Sequence, residues 1–248
     1  MHFVFLPGMA QKKLERFHEI GTFGNVLQYP VGMEGKWKDF FKNNHPMVLE
    51  LACGKGEYTV QLAMMHPEKN YIGVDIKGNR IWVGARKCIR QNITNAAFLR
   101  TQIDKIDQYF SAGEIEQIWL TFPDPHLRRS KAKKRLTHPK FLRLYQRFLS
   151  PGGLVHLKTD SPELYQFTKL VIDLYHLKTI ADYADVFSVP EIPPELKIQT
   201  YYESLDISKS NKIFYLCFSL AAILDTNDEL LHDILKKEEM RIYEQGTG

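Results

Sequence analysis

The chain has 248 residues, 44% of them apolar and 25% charged, with 33 Lys+Arg against 29 Asp+Glu and a formal charge of +4. This is the balance of a globular protein able to bury a sizeable core, and it excludes disordered, collagenous and solenoid chains. Cys53, Cys88 and Cys217 lie far apart and form neither a disulfide framework nor a CxxC pair.

In chain order, residues 1–45 read as an irregular N-terminal extension with a short helix around Lys12–Ile20, broken up by Gly21, Gly24, Gly32 and Gly35. Either Met1 or Met9 can be the start. The apolar opening stretch lacks a basic n-region and does not read as a signal peptide. Regular alternation begins at Met47. Short apolar runs predict strands over Met47–Cys53, Asn70–Asp75, Ala96–Arg100, Ile118–Phe122, Leu154–Thr159 and Lys212–Leu220. Helical spacing predicts helices over Glu57–His66, Gly78–Asn92, Pro139–Leu149 and Pro162–Leu174, the last capped by Ser161. The longest apolar run, Ile213–Leu224, is 12 residues long, against the roughly 20 that span a membrane. A soluble, cytoplasmic protein without a membrane partner is expected.

Strand–helix alternation over about 130 residues predicts a parallel α/β sheet covered on both faces, with ligands beyond the carboxyl ends of its strands. The residues just after each strand therefore matter most. The first strand ends in Glu50-Leu51-Ala52-Cys53-Gly54-Lys55-Gly56. Gly54 and Gly56 allow a tight turn with no Cβ facing a ligand. Thr59 stands where a dinucleotide fingerprint has its third glycine. Glu50 inside the strand suits a cationic or amine-bearing ligand better than a diphosphate. Asp75 follows Gly56 by 19 residues, where a carboxylate can accept both hydroxyls of an adenosine ribose; the competing reading is a helix N-terminal acid.

Charge is unevenly distributed. Arg128, Arg129, Lys131, Lys133, Lys134, Arg135, Lys140 and Arg143 occur between His126 and Arg143 with no acid among them. Such a run is the signature of a polyanion partner, or else a solvated helical face. It begins shortly after Pro123-Asp124-Pro125. The stretch from Asp225 is acidic and reads as a helical tail able to pair with Arg128 and Arg129. His126, His138 and His156 have no metal-ligand spacing, and no metal is expected.

The motifs Leu49–Gly56, Phe122-Pro123-Asp124-Pro125 with its basic run, Leu157-Lys158-Thr159-Asp160 and Thr200-Tyr201-Tyr202-Glu203 resemble those of the bacterial tRNA (guanine-N7)-methyltransferases. The resemblance runs from about Val48 to Leu220. It implies a Rossmann-like class I methyltransferase fold, with a mostly parallel seven-stranded sheet and helices on both faces. The corresponding division is an extension over 1–45, a methyltransferase domain over 46–224 and a tail over 225–248.

The resemblance further implies methyl transfer from S-adenosylmethionine to N7 of guanosine 46 in the tRNA variable loop. It implies cofactor contacts by Glu50, Gly54, Gly56, Asp75, Gln102 and Asp124, with Asp124 also catalytic. It assigns the substrate to Arg128, Asp160, Thr200, Tyr201, Tyr202 and Glu203. Arg129, Lys131, Lys133, Lys134 and Arg135 then face RNA phosphates.

Three residues depart from the family pattern: Gln102 replaces an Asp, Arg128 a Lys, and His126 a Trp. The alternatives are a methyltransferase for another substrate and a non-catalytic tRNA-binding protein. Monomer and homodimer stay open.

Overall fold

A computed structural model describes residues 14–201, 203, 211–220 and 224–246, with side chains as far as residue 237. The chain forms two compact units, 1–109 and 110–248. Among the described residues, no helix is long and apolar enough to cross a membrane.

The first unit holds strands β1 (Val26–Gln28), β2 (Met47–Leu51), β3 (Asn70–Asp75) and β4 (Ala96–Arg100), and helices α1 (Trp37–Phe41), α2 (Glu57–Met65) and α3 (Gly78–Gln91). Its strands run in the order β1-β4-β3-β2, all parallel. β2 and β3 are buried along their whole length, the pattern of a sheet covered on both sides. In α3, Ile81, Gly84, Ala85 and Cys88 are buried at helical spacing, so one stripe packs inward.

The stretch 26–41 is built into this unit. β1 adds to β4, and the fully buried Trp37 donates its indole N–H to the Tyr109 carbonyl at 2.8 Å.

The second unit holds β5 (Ile115–Thr121), β6 (Leu149–Thr159), β7 (Lys178–Tyr183) and β8 (Phe214–Ser219), and helices α4 (Pro139–Tyr145), α5 (Pro162–Leu174) and α6 (Asp228–Gly246). β5 and β6 pair in parallel; β8 is antiparallel to both β6 and β7. Tyr165 of α5 stacks on Phe214 of β8 at 4.7 Å, so the face bearing Phe214 is the one that α5 covers.

Among the described residues there are eight strands, where seven were expected. β1 is a three-residue strand of half-buried residues, and β7 is mostly exposed, so neither carries an apolar run. β5 and β6 begin earlier than expected, at Ile115 and Leu149. The second of these runs through Pro151-Gly152-Gly153.

His138 caps α4: its Nδ1 accepts the Lys140 N–H at 3.0 Å, a role open only to the neutral ring. Burial pushes its pKa down to about 4, with Lys133, Arg143 and Lys140 adding and Asp228 opposing. The folded pKa thus lies below the unfolded value of about 6.5. The stability due to the neutral ring is complete above that value and is lost as pH falls toward about 4. Urea midpoints are expected to drop across this window, with a His138 contribution approaching about 1.4 kcal/mol per pH unit. His138→Asn, which keeps a capping oxygen, should flatten that part of the slope. An unaltered slope in the variant would contradict it.

Candidate active site

In the first unit, the chain leaves β2 through an abrupt turn. Ala52, Gly54 and Gly56 all have left-handed backbone, with φ of 59°, 56° and 68°. For Ala52 this is a strained conformation, of the kind concentrated at functional sites. A Cβ on Gly56 would lie 2.3 Å from the Phe98 ring, so the glycine is also required for close packing.

Glu50 is buried, and its carboxylate accepts the Thr59 backbone N–H at 2.7 Å and the Thr59 hydroxyl. The residue that breaks the dinucleotide fingerprint is therefore the one that orients Glu50. Glu50 pairs in register with Gly73, and a side chain there would meet the Thr59 hydroxyl at 2.7 Å. Sequence reasoning missed this function of Thr59; the signal was a hydroxyl three residues past a glycine turn that follows an acid.

Asp75, at the end of β3, accepts the Gly54 N–H at 3.0 Å on one oxygen and the Lys77 N–H at 2.8 Å on the other. The second bond lies at the entrance to α3, but Asp75 itself ends β3 and no acid stands in the helix's first turn. The first ties Asp75 to the glycine turn. Each oxygen keeps a lone pair for a ribose hydroxyl. Between these two acids, the Cys53 thiol is pushed well up by burial, then by the charges of Glu50 and Asp75. The turn thus brings two carboxylates close to one buried thiol, an arrangement fit for a cationic ligand. Gln102 is exposed just beyond β4.

In the second unit, β5 is likewise followed by a left-handed residue, Phe122 (φ 48°), and then by Pro123-Asp124-Pro125. The Asp124 side chain is 73% exposed; it accepts the His126 N–H at 3.0 Å, and His126 Nδ1 lies 3.5 Å from it.

Arg135 is turned inward. It is 6% exposed, donates to the carbonyls of Pro125, His126 and Leu127 at 3.0–3.4 Å, and lies over the Phe167 ring at 4.4 Å. It holds the loop after Asp124 in place. This corrects its expected place among residues facing RNA phosphates: its guanidinium is taken up by carbonyls of the loop after Asp124. Arg128, Lys131, Lys133 and Lys134 are exposed, and Arg129 is half-buried. Arg128 and Arg129 line a cavity of about 650 Å³ with Phe167 and Lys169, so they stand on a concave surface. Within the acidic tail, Asp228 of α6 takes a bidentate contact from Arg143 at 2.7 and 2.9 Å.

Asp160 follows β6 directly. Thr200 is 8% exposed and its hydroxyl accepts the Glu203 N–H at 3.2 Å; Tyr201 is exposed. Tyr202 lies outside the described residues. Lys158 near the end of β6 donates to Glu203 at 2.9 Å, and its carbonyl accepts the Phe122 N–H at 2.8 Å. The ends of β5 and β6 therefore bring the Asp124 turn, Asp160 and the Thr200–Glu203 segment together. Among the described residues, no group of three or more His, Cys, Asp or Glu side chains could hold a metal ion.

Residues 44–216 match a family model described as putative methyltransferase. A tRNA (guanine-N(7)-)-methyltransferase of Bacteroides thetaiotaomicron is 43% identical over 221 residues, covering 86% of this chain and 87% of the relative. One from Porphyromonas gingivalis is 45% identical over 211 residues, covering 80% and 86%. The chain belongs to the tRNA (guanine-N7)-methyltransferase family.

This methyltransferase shares its fold with the 16S rRNA methyltransferase KamB (TM-score 0.58, 14% identity, 75% of this chain and 93% of the other). It shares it also with the aminoglycoside resistance methyltransferase NpmB1 (TM-score 0.54, 14% identity, 78% and 95%). These place the chain in the class I methyltransferase fold. It is an enzyme of that class.

Proposed function

We propose that the enzyme transfers a methyl group from S-adenosylmethionine to N7 of guanosine 46 in the variable loop of tRNA. The observation that carries this reading is the convergence, at the ends of β5 and β6, of Asp124, Asp160 and the Thr200–Glu203 segment beside an exposed basic run. The names of the tRNA-modifying relatives support the substrate, and the two-acid glycine turn supports the donor.

Glu50, fixed by Thr59, faces the amino-acid end of the cofactor, and Asp75 takes the ribose. Gly54 and Gly56 give the turn its close approach, while Gln102 and Asp124 add polar contacts. When bound, S-adenosylmethionine supplies an electrophilic methyl on a cationic sulfur. Guanine N7 has a free lone pair, so no residue need remove a proton before attack. The methylated base is cationic, and the Asp124 carboxylate favours that charge as it develops. Arg128, Asp160, Thr200, Tyr201 and Glu203 orient the guanine through its polar edges. Arg129, Lys131, Lys133 and Lys134 hold phosphates without reading sequence.

Filter binding at several salt concentrations tests the RNA contacts. Replacing Lys131, Lys133 and Lys134 with Ala is expected to weaken tRNA binding and to lower the log–log salt slope by about one unit per lost contact. Cofactor affinity should be unchanged, since its candidate residues lie elsewhere in the chain. An unchanged slope in a stably folded triple variant would exclude these lysines as phosphate contacts.

A further inference from the structure

Lys158 is fully buried within a strand, where a charged group costs several kcal/mol unless it is paired and hydrogen-bonded. Its ammonium makes three bonds: to the carbonyls of Leu196 and Ile198 at 2.9 and 2.8 Å, and to the Glu203 carboxylate at 2.9 Å. The two carbonyls flank the end of the short 3-10 turn Pro194–Lys197, and the carboxylate lies at the far end of the segment. Burial pushes the Lys158 pKa down, and Glu203 pulls it back up.

Lys158 pairs in register with Thr121 and Tyr215, on the sheet face opposite Phe214 and α5. The 194–203 segment caps the Lys158 side chain on that face. The same residue also meets the Asp124 turn: its carbonyl bonds the Phe122 N–H, and its Nζ lies 5.5 Å from the Phe122 ring. One buried lysine thus touches both strands of chain that carry the candidate guanine contacts.

We propose that Lys158 is a positioning residue for guanine methylation, fixing the Glu203 carboxylate and the Thr200–Glu203 segment against the strand end that leads into Asp124. The role rests on the reading of Glu203 as a guanine contact. Arg135 does the corresponding task for the loop after Asp124, through backbone carbonyls alone. Lys158 differs in that it grips a side chain assigned to the substrate.

The test is a double-mutant cycle of Lys158→Met and Glu203→Gln, read as kcat and KM for tRNA alongside calorimetric S-adenosylmethionine affinity and Tm. Losing a charge-assisted contact predicts that Lys158→Met lowers kcat/KM for tRNA about tenfold or more, with cofactor affinity changed by less than about twofold. In the Glu203→Gln background, the same change should lower kcat/KM by no more than about twofold, because the lysine acts through that carboxylate.

Full additivity of the two losses, a parallel fall in cofactor affinity, or unaltered kcat/KM in Lys158→Met would each overturn the proposal. Normal kcat/KM in Glu203→Gln alone would instead remove the guanine-contact reading beneath it. Where Lys158→Met does not fold, Lys158→Gln, which keeps a donor for the carbonyls, takes its place in the cycle. If neither variant folds, the lysine serves folding and the proposal fails.

Discussion

Replacing Asp124 with Ala is expected to lower turnover on saturating tRNA by about a hundredfold or more, the scale seen when an electrostatic contact to a developing charge is removed. The side chain is largely exposed at a strand end, so its loss should leave Tm near the wild-type value. Asp124→Asn keeps the shape and the hydrogen bond from the His126 N–H but loses the negative charge. It should therefore be nearly as poor as Ala if charge is what matters, and nearly normal if the residue only shapes the turn. Single-turnover rates with both ligands saturating separate chemistry from binding. Near-normal rates for both variants would exclude a catalytic role for Asp124.

The second large effect concerns the cofactor. Asp75→Ala should weaken S-adenosylmethionine binding by about tenfold or more, since charge-assisted hydrogen bonds are worth about 1.5–3 kcal/mol each. Two contributions add here. The ribose loses its acceptor, and the Gly54 and Lys77 N–H groups lose theirs, which loosens the glycine turn itself. Asp75→Asn keeps one amide oxygen as an acceptor and should fall between wild type and Ala. Calorimetry reads both, and unchanged affinity in Asp75→Ala would remove it from the cofactor site.

The sequence made the candidate site legible where its residues also carry a fold signal. β3, β4 and α5 end where their apolar spacing and flanking Gly, Asp and Pro residues say they should. Glu50 and Asp75 stood out because acids are out of place inside or at the end of buried strands. The edge strands β1 and β7 were hidden because a half-exposed strand has no apolar run to recognise.

The roles of Thr59, Arg135 and Lys158 were hidden for another reason: each acts through a partner distant in sequence, and charge count alone cannot show which way a side chain turns. Arg135 is the clearest case. It lies in a basic run that reads as uniformly RNA-facing, yet it points inward to three carbonyls. Lys158 left one visible trace, a lysine set between Leu157 and Thr159 inside a predicted strand.

The most direct measurement is incubation of the enzyme with methyl-labelled S-adenosylmethionine and unmodified tRNA, followed by nucleoside analysis and mapping of the labelled position. The expected result is label in 7-methylguanosine at position 46 and none in tRNA carrying another base there. Label in a different nucleoside or at a different position, or no transfer by a protein that binds both ligands, would contradict it.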